Sequence, residues 1–332
     1  MPITGVYFIP SHPNSSTALG TITERLRSAY PDEELIPLGR WALEQKLMRD
    51  TPSLIPASAN PSAEKPRYMQ FLSLTHYPTH GFIYTSEPPE KPFHPPHAPA
   101  GASPSPVPSS APMAQSPSQP LSQSTSNSNS FTASSDSPPM IMTVLPMSSF
   151  GMLFQHFTYA CQPFWAHRLT VAVPNGVIYD VGDFRVRLGD VRQTFPIARP
   201  RGTVIEIEWR GPTVVDSVAS AHLGAQSAQS TDEQDSDSGI DVDFLVEESD
   251  VDAEYAATAA LIREFWGRLG VEGAREAILV PGVGKEIKDR LKKRRAAKMK
   301  NDQGSGAVGE NEADMNGADV ARQYMEVLRF NR

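Results

Sequence analysis

His76 and His80 stand four apart, the spacing at which two imidazoles on one helix face can hold a metal ion. Pro78 lies between them and opposes a helix, and no third ligand follows in a recognisable pattern, so the pair reads as a turn with packed or solvent-facing rings. His94 and His97 fall in a Pro/Ser tract that fixes no geometry. PGVGKE, residues 281–286, has the look of a phosphate loop, but Leu279 stands where such a loop needs glycine and Glu286 where it needs Ser or Thr. Cys161, the single cysteine, has aromatic neighbours and no base at fixed spacing, and it reads as a small buried hydrophobe that cannot form an intramolecular disulfide. Asp180 and Asp183 flank Gly182, where turns favour Asp for backbone reasons. Asn14 opens a sequon that has no consequence without a secretory route. These residues assemble no catalytic set, no cofactor site and no metal site.

What the chain does display is strand patterning. In DFRVRLG, Phe184, Val186 and Leu188 fall on one side of an extended chain and Arg185 and Arg187 on the other. In VIEIEW, Ile205, Ile207 and Trp209 oppose Glu206 and Glu208, and the Arg-Pro-Arg-Gly between the two runs is turn chemistry. The runs predict an antiparallel hairpin whose charged pairs meet on the solvent face, each contributing at most about 1 kcal/mol. Gly5 to Pro10 reads as an edge or first strand, and a helix follows from Thr17 with Leu19, Ile22, Leu26 and Ala29 as its stripe. Ser15, Ser16 or Thr17 is its cap and Pro31 its stop. Glu34 to Met48 gives mixed signals. Arg67 to Glu87 predicts two strands around Thr-His-Tyr-Pro-Thr, and Met140 to Leu145 a further strand. Phe150, Leu153, Phe154 and Phe157 then recur at helical spacing behind Ser148 and Ser149, and RLTVAV and GVIYDVG read as short strands. Tyr255, Ala259, Ile262, Trp266 and Leu269 mark a helix ending at Gly270, and a last helix carries Val320, Tyr324 and Val327 or Leu328 behind Asp319 as cap.

Composition limits how much of the 332 residues can pack. Between Ser86 and Pro139 there are 15 serines and 14 prolines, and such a tract buries too little surface to offset chain ordering. Between Asp232 and Glu254 there are eleven acidic residues and no basic ones, and Lys285 to Lys300 carries nine basic against two acidic. That basic run, with Lys292, Lys293, Arg294 and Arg295 at its centre, reads as a solvated face in a mobile insertion or as a nuclear localisation signal. Direct DNA binding is disfavoured, because no aromatic residues interleave the run, the acidic tract can occupy it, and the formal net charge is −8. The N-terminus has no positive region before its short apolar run and no stretch is long enough to span a bilayer, so the expectation is a soluble intracellular protein.

Taken together, GVYFIPS, FLSLTHYPTHGFIYTSE, YDVGDFRVRLGDVRQTFPIARPRGTVIEIEWRGP and DVARQYMEVLRF resemble the family of subunit 20 of the Mediator of RNA polymerase II transcription, in a fungal-type form. The resemblance implies an incomplete antiparallel β-barrel with flanking helices; with the amphipathic stripes and the composition above, the fold class expected is mostly β (α+β) with long disordered inserts, which lie outside the shared pattern. It also implies a place in the Mediator head module of the nucleus, a heterodimer with Mediator subunit 18, tethering by the C-terminal helix of subunit 8, only indirect contact with the RNA polymerase II machinery, and no enzymatic activity. No cofactor, small-molecule ligand or membrane is expected. On this reading residues 1–85 and 140–215 form the barrel core, 86–139 a disordered insert, 216–251 an acidic linker, 252–281 a helix packing on the barrel, 282–317 a basic then polar flexible segment, and 318–332 the C-terminal helix. Phe184, Val186, Leu188, Ile205, Ile207, Trp209, Tyr255, Ile262, Trp266, Tyr324 and Leu328 are the residues expected to bear the fold or the partner, the hairpin ones as core first. Two alternatives remain at this point: a nucleic-acid-binding protein acting through 285–300, and a barrel phosphatase akin to RNA triphosphatases, for which Glu206 and Glu208 are too few carboxylates.

Overall fold

The computed structural model describes residues 2–11, 17–33, 35–51, 67–86, 140–162, 164–213, 246–301 and 317–329. Of the inserts expected at 86–139, 216–251 and 282–317, residues 87–139, 216–245 and 302–316 lie outside the described residues, as do His94, His97, Asn14, Ser15 and Ser16. Among the described residues nine strands form one antiparallel sheet: β1 (Thr4–Pro10), β2 (Pro37–Asp50), β3 (Tyr68–Leu74), β4 (His80–Ser86), β5 (Met140–Pro146), β6 (Trp165–Val181), β7 (Phe184–Phe195), β8 (Arg199–Trp209) and β9 (Arg275–Ala277). Their spatial order is β5-β4-β3-β2-β6-β7-β8-β1-β9, and β5 and β9 do not pair with each other. The fold is therefore mostly β, an unclosed sheet consistent with an incomplete barrel. Five helices accompany it among the described residues: α1 (Leu19–Ala29), α2 (Met147–Tyr159), α3 (Glu248–Leu269), α4 (Lys285–Asn301) and α5 (Ala318–Val327). None is long and apolar enough to cross a membrane.

Alternation along the strands gives the sheet two apolar faces. The concave face gathers Val6, Phe8, Trp41, Leu43, Leu72, Phe82, Val171, Val191 and Val204 around Val320, Ala321, Tyr324, Met325 and Leu328. The C-terminal helix thus lies inside the curve of the sheet. It packs on β1, β3, β4, β5 and β9, bridging the gap between the two edge strands. One stretch of the convex face, with Tyr7, Val186, Leu188, Ile205 and Ile207, is covered by Ile22 and Leu26 of α1 and by Ile262, Phe265 and Leu269 of α3. Another, with Met48, Met69, Phe71 and Ile83, is covered by Phe150 of α2. Gly81 makes that seat, since a Cβ there would meet the Phe150 ring at 2.2 Å.

Several local expectations are corrected. Of the stretch with mixed signals, Pro37 to Met48 lies in β2, a strand of 14 residues that pairs with β3 and β6; its helix-forming Ala, Leu, Glu, Gln and Lys are overridden by pairing on both edges. RLTVAV and GVIYDVG are one strand, β6, whose register with β7 shifts between Ala172 and Val177, so Pro174 is absorbed in an irregularity. The turn of the β7–β8 hairpin is Pro196–Ala198, and Arg-Pro-Arg-Gly already belongs to β8. β1 is not an edge, because Val6 to Phe8 pair with β9. No side chain caps α1: Ala18 holds the cap position, and the Thr17 hydroxyl donates to Asp190 at 3.0 Å instead. α2 starts directly after Pro146, which places Ser148 and Ser149 inside its first turn. Asp319 is the second residue of α5, whose cap is Gly317 at φ 86°.

Candidate partner interface

The ionisable residues nearest the centre of the protein neutralise one another. The register places Arg185 opposite Glu208 and Arg187 opposite Glu206. Contrary to the expected solvent face, Arg187 and Glu206 are buried, because α5 covers the side of the sheet they occupy. Arg187 donates to Glu206 and, at 2.6 Å, to Glu208, while the Tyr324 hydroxyl of α5 donates to Glu206 at 2.5 Å. Burial on its own raises the Glu206 carboxyl, but Arg187, His76 and Tyr324 outweigh it and hold the group below its usual range. The same balance runs in reverse at Arg187, where burial lowers and the two glutamates raise, with a net upward result. His76 Nε2 lies 3.6 Å from Glu206, and its ring makes edge contact with Trp41. Burial lowers the basicity of the imidazole more than Glu206 restores it. His80 bonds through Nδ1 to the Thr79 hydroxyl, so the two histidines share no ligand geometry.

Further along α5, Gln323 bonds to Thr4 and to the Ile278 carbonyl, and Arg322 to Glu286. Asp319 accepts from the Tyr255 hydroxyl at 2.7 Å and from the Gly284 amide at 3.2 Å. The loop that has the look of a phosphate cradle is thus filled by a carboxylate of the chain itself. Burial raises Asp319, and the Tyr255 bond opposes it. Asp180, the other sequence candidate, pairs with Arg185 at 2.9 Å and Arg210 at 2.6 Å in the β6–β7 turn region. Among the described residues no group of three or more His, Cys, Asp or Glu is arranged to hold a metal ion. Cys161 is only half-buried.

The residues expected to bear the fold or the partner are found mostly inside. Val186, Leu188, Ile205 and Ile207 are buried under α1 and α3, and Ile262 of α3 is buried against them; Tyr255 is buried against Ile287 and Leu291 of α4; Tyr324 and Leu328 are buried on the concave face. Phe184, Trp209 and Trp266 are half-buried, with Phe184 and Trp209 in edge contact at 5.1 Å and Trp266 stacked on Tyr7 at 4.2 Å. Between Lys285 and Arg295 the basic run is a helix face in contact with the rest of the chain. As α4 it packs on α3 through Ile287 and Leu291, Lys288 pairs with Asp252, Lys292 with Glu248 at 3.1 Å, and Arg295 bonds to the Val246 carbonyl. Lys293 is exposed, and the side chain of Arg294 lies outside the described ones.

Apolar surface remains elsewhere. α2 turns Phe150, Leu153, Phe154 and Phe157 to the sheet and leaves Met152 65% and Tyr159 77% exposed, with Phe164 66% exposed just beyond its end. Next to it runs β5, MIMTVLP, an uncharged terminal strand with Ile141 half exposed. Natural sheets blunt such edges with charge, proline or a covering element. A cleft of about 460 Å³ opens at the start of α2, lined by Leu43, Leu74, Pro78, Met147, Val173 and Pro174. The sequence signal for this face was present: MSSFGMLFQHFTY is apolar on more than one stripe, which a helix covered on a single side does not need.

Residues 1–329 match the family model Med20, described as the TATA-binding related factor (TRF) of subunit 20 of the Mediator complex. No curated protein sequence matches. Among solved structures, one described as the structure of PH1819 protein from Pyrococcus horikoshii OT3 covers 67% of this chain and 86% of its own, at 11% identity and a TM-score of 0.25, a level of likeness that defines neither fold nor function. With essentially its whole length matched, the chain belongs to the Med20 family of Mediator subunits, which regulate transcription.

Proposed function

We propose that the chain is a non-catalytic scaffold subunit of the Mediator head module, acting in the nucleus as a heterodimer with Mediator subunit 18 that the C-terminal helix of subunit 8 tethers. The RNA polymerase II machinery is reached through the complex. The observation that carries this reading is the filled concave face. α5 occupies the curve of the sheet with buried Tyr324, Val320 and Met325, and the charged groups beside it, Arg187, Glu206 and Arg322, are paired within the chain. Recognition then falls to the outer surface, and α2 with β5 is the apolar, weakly charged part of it, the composition found at interface cores. The nucleic-acid alternative loses support because α4 meets the acidic first turns of α3 with Lys288 and Lys292.

The test is co-expression with subunits 18 and 8 of the same Mediator, followed by size-exclusion chromatography with mass determination. A stoichiometric complex is expected, and a double substitution Met152→Glu/Tyr159→Glu should dissociate it without moving the thermal midpoint of the free chain. Elution of the chain alone, folded and monodisperse, overturns the pairing.

A further inference from the structure

One end of the barrel is rich in arginine. From Val191 to Gly202 the chain reads VRQTFPIARPRG, with Arg192, Arg199 and Arg201 and no carboxylate. Arg192 is the register partner of Pro200 and Arg199 that of Gln193, so all three arginines sit at the closed end of the β7–β8 hairpin. On β6, exposed Arg168 is two residues from Thr170, the partner of Phe195. On the other flank Arg275 of β9 pairs with Phe8 and holds its guanidinium 5.9 Å from that ring. Burial, and then Arg199 and Arg275, lower the Arg201 guanidinium, which places these cations within electrostatic reach of one another. Nearby carboxylates are already engaged: Asp190 by the Thr17 and Thr203 hydroxyls, and Glu276 by Arg263 at 2.7 Å.

Within this crescent two apolar side chains stand out from the tip, Phe195 at 42% and Ile197 at 71% exposure. Phe195 lies face to face with His167 at 4.3 Å, and His167 takes an edge contact from Phe154 of α2, so the tip adjoins the α2 surface. We propose that the β7–β8 tip is a docking surface for an acidic peptide segment with apolar side chains, carried by a partner protein. Carboxylates meet the arginines, which bind them through planar forks, and an apolar side chain meets Ile197 and the open face of Phe195. Arg and aromatic residues around an apolar centre are what interface hot spots are made of. A nucleic acid would answer the charge but not Ile197. It would find a single ring with one face already covered instead of a stacking platform, on a chain whose net charge of −8 repels polyanions. The inference stands whichever Mediator subunits bind the α2–β5 face, and its test uses none of them.

The experiment is fluorescence anisotropy on the full chain with a fluorescein-labelled synthetic peptide that alternates aspartate pairs with leucine and phenylalanine. Three proteins are compared: the wild type, Arg192→Glu/Arg199→Glu and Ile197→Ser, each first shown to keep its thermal midpoint. The expected result is salt-sensitive binding that weakens about tenfold or more on charge reversal and by at least a few-fold in Ile197→Ser. No binding by the wild type, equal binding by all three, or an Ile197→Ser variant that binds like wild type overturns the proposal. So does tighter binding of single-stranded oligothymidylate with the same loss on charge reversal.

Discussion

Glu206 has no route to water, and three groups hold its charge in place: Arg187, the Tyr324 hydroxyl and, at 3.6 Å, His76. Removing one partner of a buried pair costs more than removing both, because the survivor stays buried and charged. Glu206→Gln should therefore cost about 3 to 5 kcal/mol in urea unfolding, and adding Arg187→Met should recover a large part of that loss. The pH dependence follows from the same cluster. His76 has a lowered folded pKa, so the unfolded chain takes up the proton first and stability falls as pH drops below the ordinary histidine value of 6.5. Glu206 also has a lowered folded pKa; its contribution is present above the ordinary carboxylate range and lost as pH falls through the folded value. Asp319, raised by burial, works the other way, since the folded chain protonates it first. Between pH 7.5 and 5.5 the lowered folded pKa of His76, joined by that of His167, draws stability down, so wild type should lose stability there and His76→Phe should lose less; equal losses would remove His76 as a cause. Sequence alternation located Arg187 and Glu206 on one face and in register, yet assigned that face to solvent. Nothing local to the hairpin announces that a helix more than 100 residues later will cover it.

At the scale of elements, the strongly periodic pieces were legible. The hairpin strands, β3 to β5 and the stripes of α1 and α3 follow from spacing alone, as does the Gly270 stop at φ 58°. β2 was not legible, because its residues are helix formers made into a strand by neighbours on both sides. The unity of β6 was hidden by Pro174, and the caps of α1 and α2 were misplaced because the hydroxyl beside the first has a tertiary partner and the second follows proline directly. α5 reads from sequence as a short amphipathic helix with one stripe, whereas Ala318, Val320, Ala321, Arg322, Gln323, Tyr324, Met325 and Val327 are all buried. Arg322 and Gln323 are inside because Glu286, Thr4 and Ile278 bond them there. A chain ended after Gly317 would open the concave face to water, including Phe8, Leu72, Phe82 and Val204. It should be lost from the soluble fraction on expression, and a soluble, monodisperse product would show that α5 is not the filling of the barrel.

For the whole molecule, the Pro/Ser tract enters and leaves at one point. Ser86 and Met140, on either side of it, are register partners at the end of the β4–β5 pair, so a short turn can replace everything between them. Exchanging residues 87–139 for an Asn-Gly turn is expected to leave both the thermal midpoint and assembly with subunits 18 and 8 unchanged, and loss of the complex would give the tract a part in binding. Family and fold class were within reach of the sequence because the matching pieces carry the sheet; the outward apolar face was not singled out, because exposure depends on which neighbours α2 and β5 lack. The most direct measurement is amide hydrogen exchange on the full chain, alone and in complex with subunits 18 and 8. A filled barrel that binds outwardly predicts added protection in β5 and α2 and no change in α5, which is already buried. Added protection in α5 with none in β5 or α2 would contradict it, since the partner would then be completing the core and not docking on the surface.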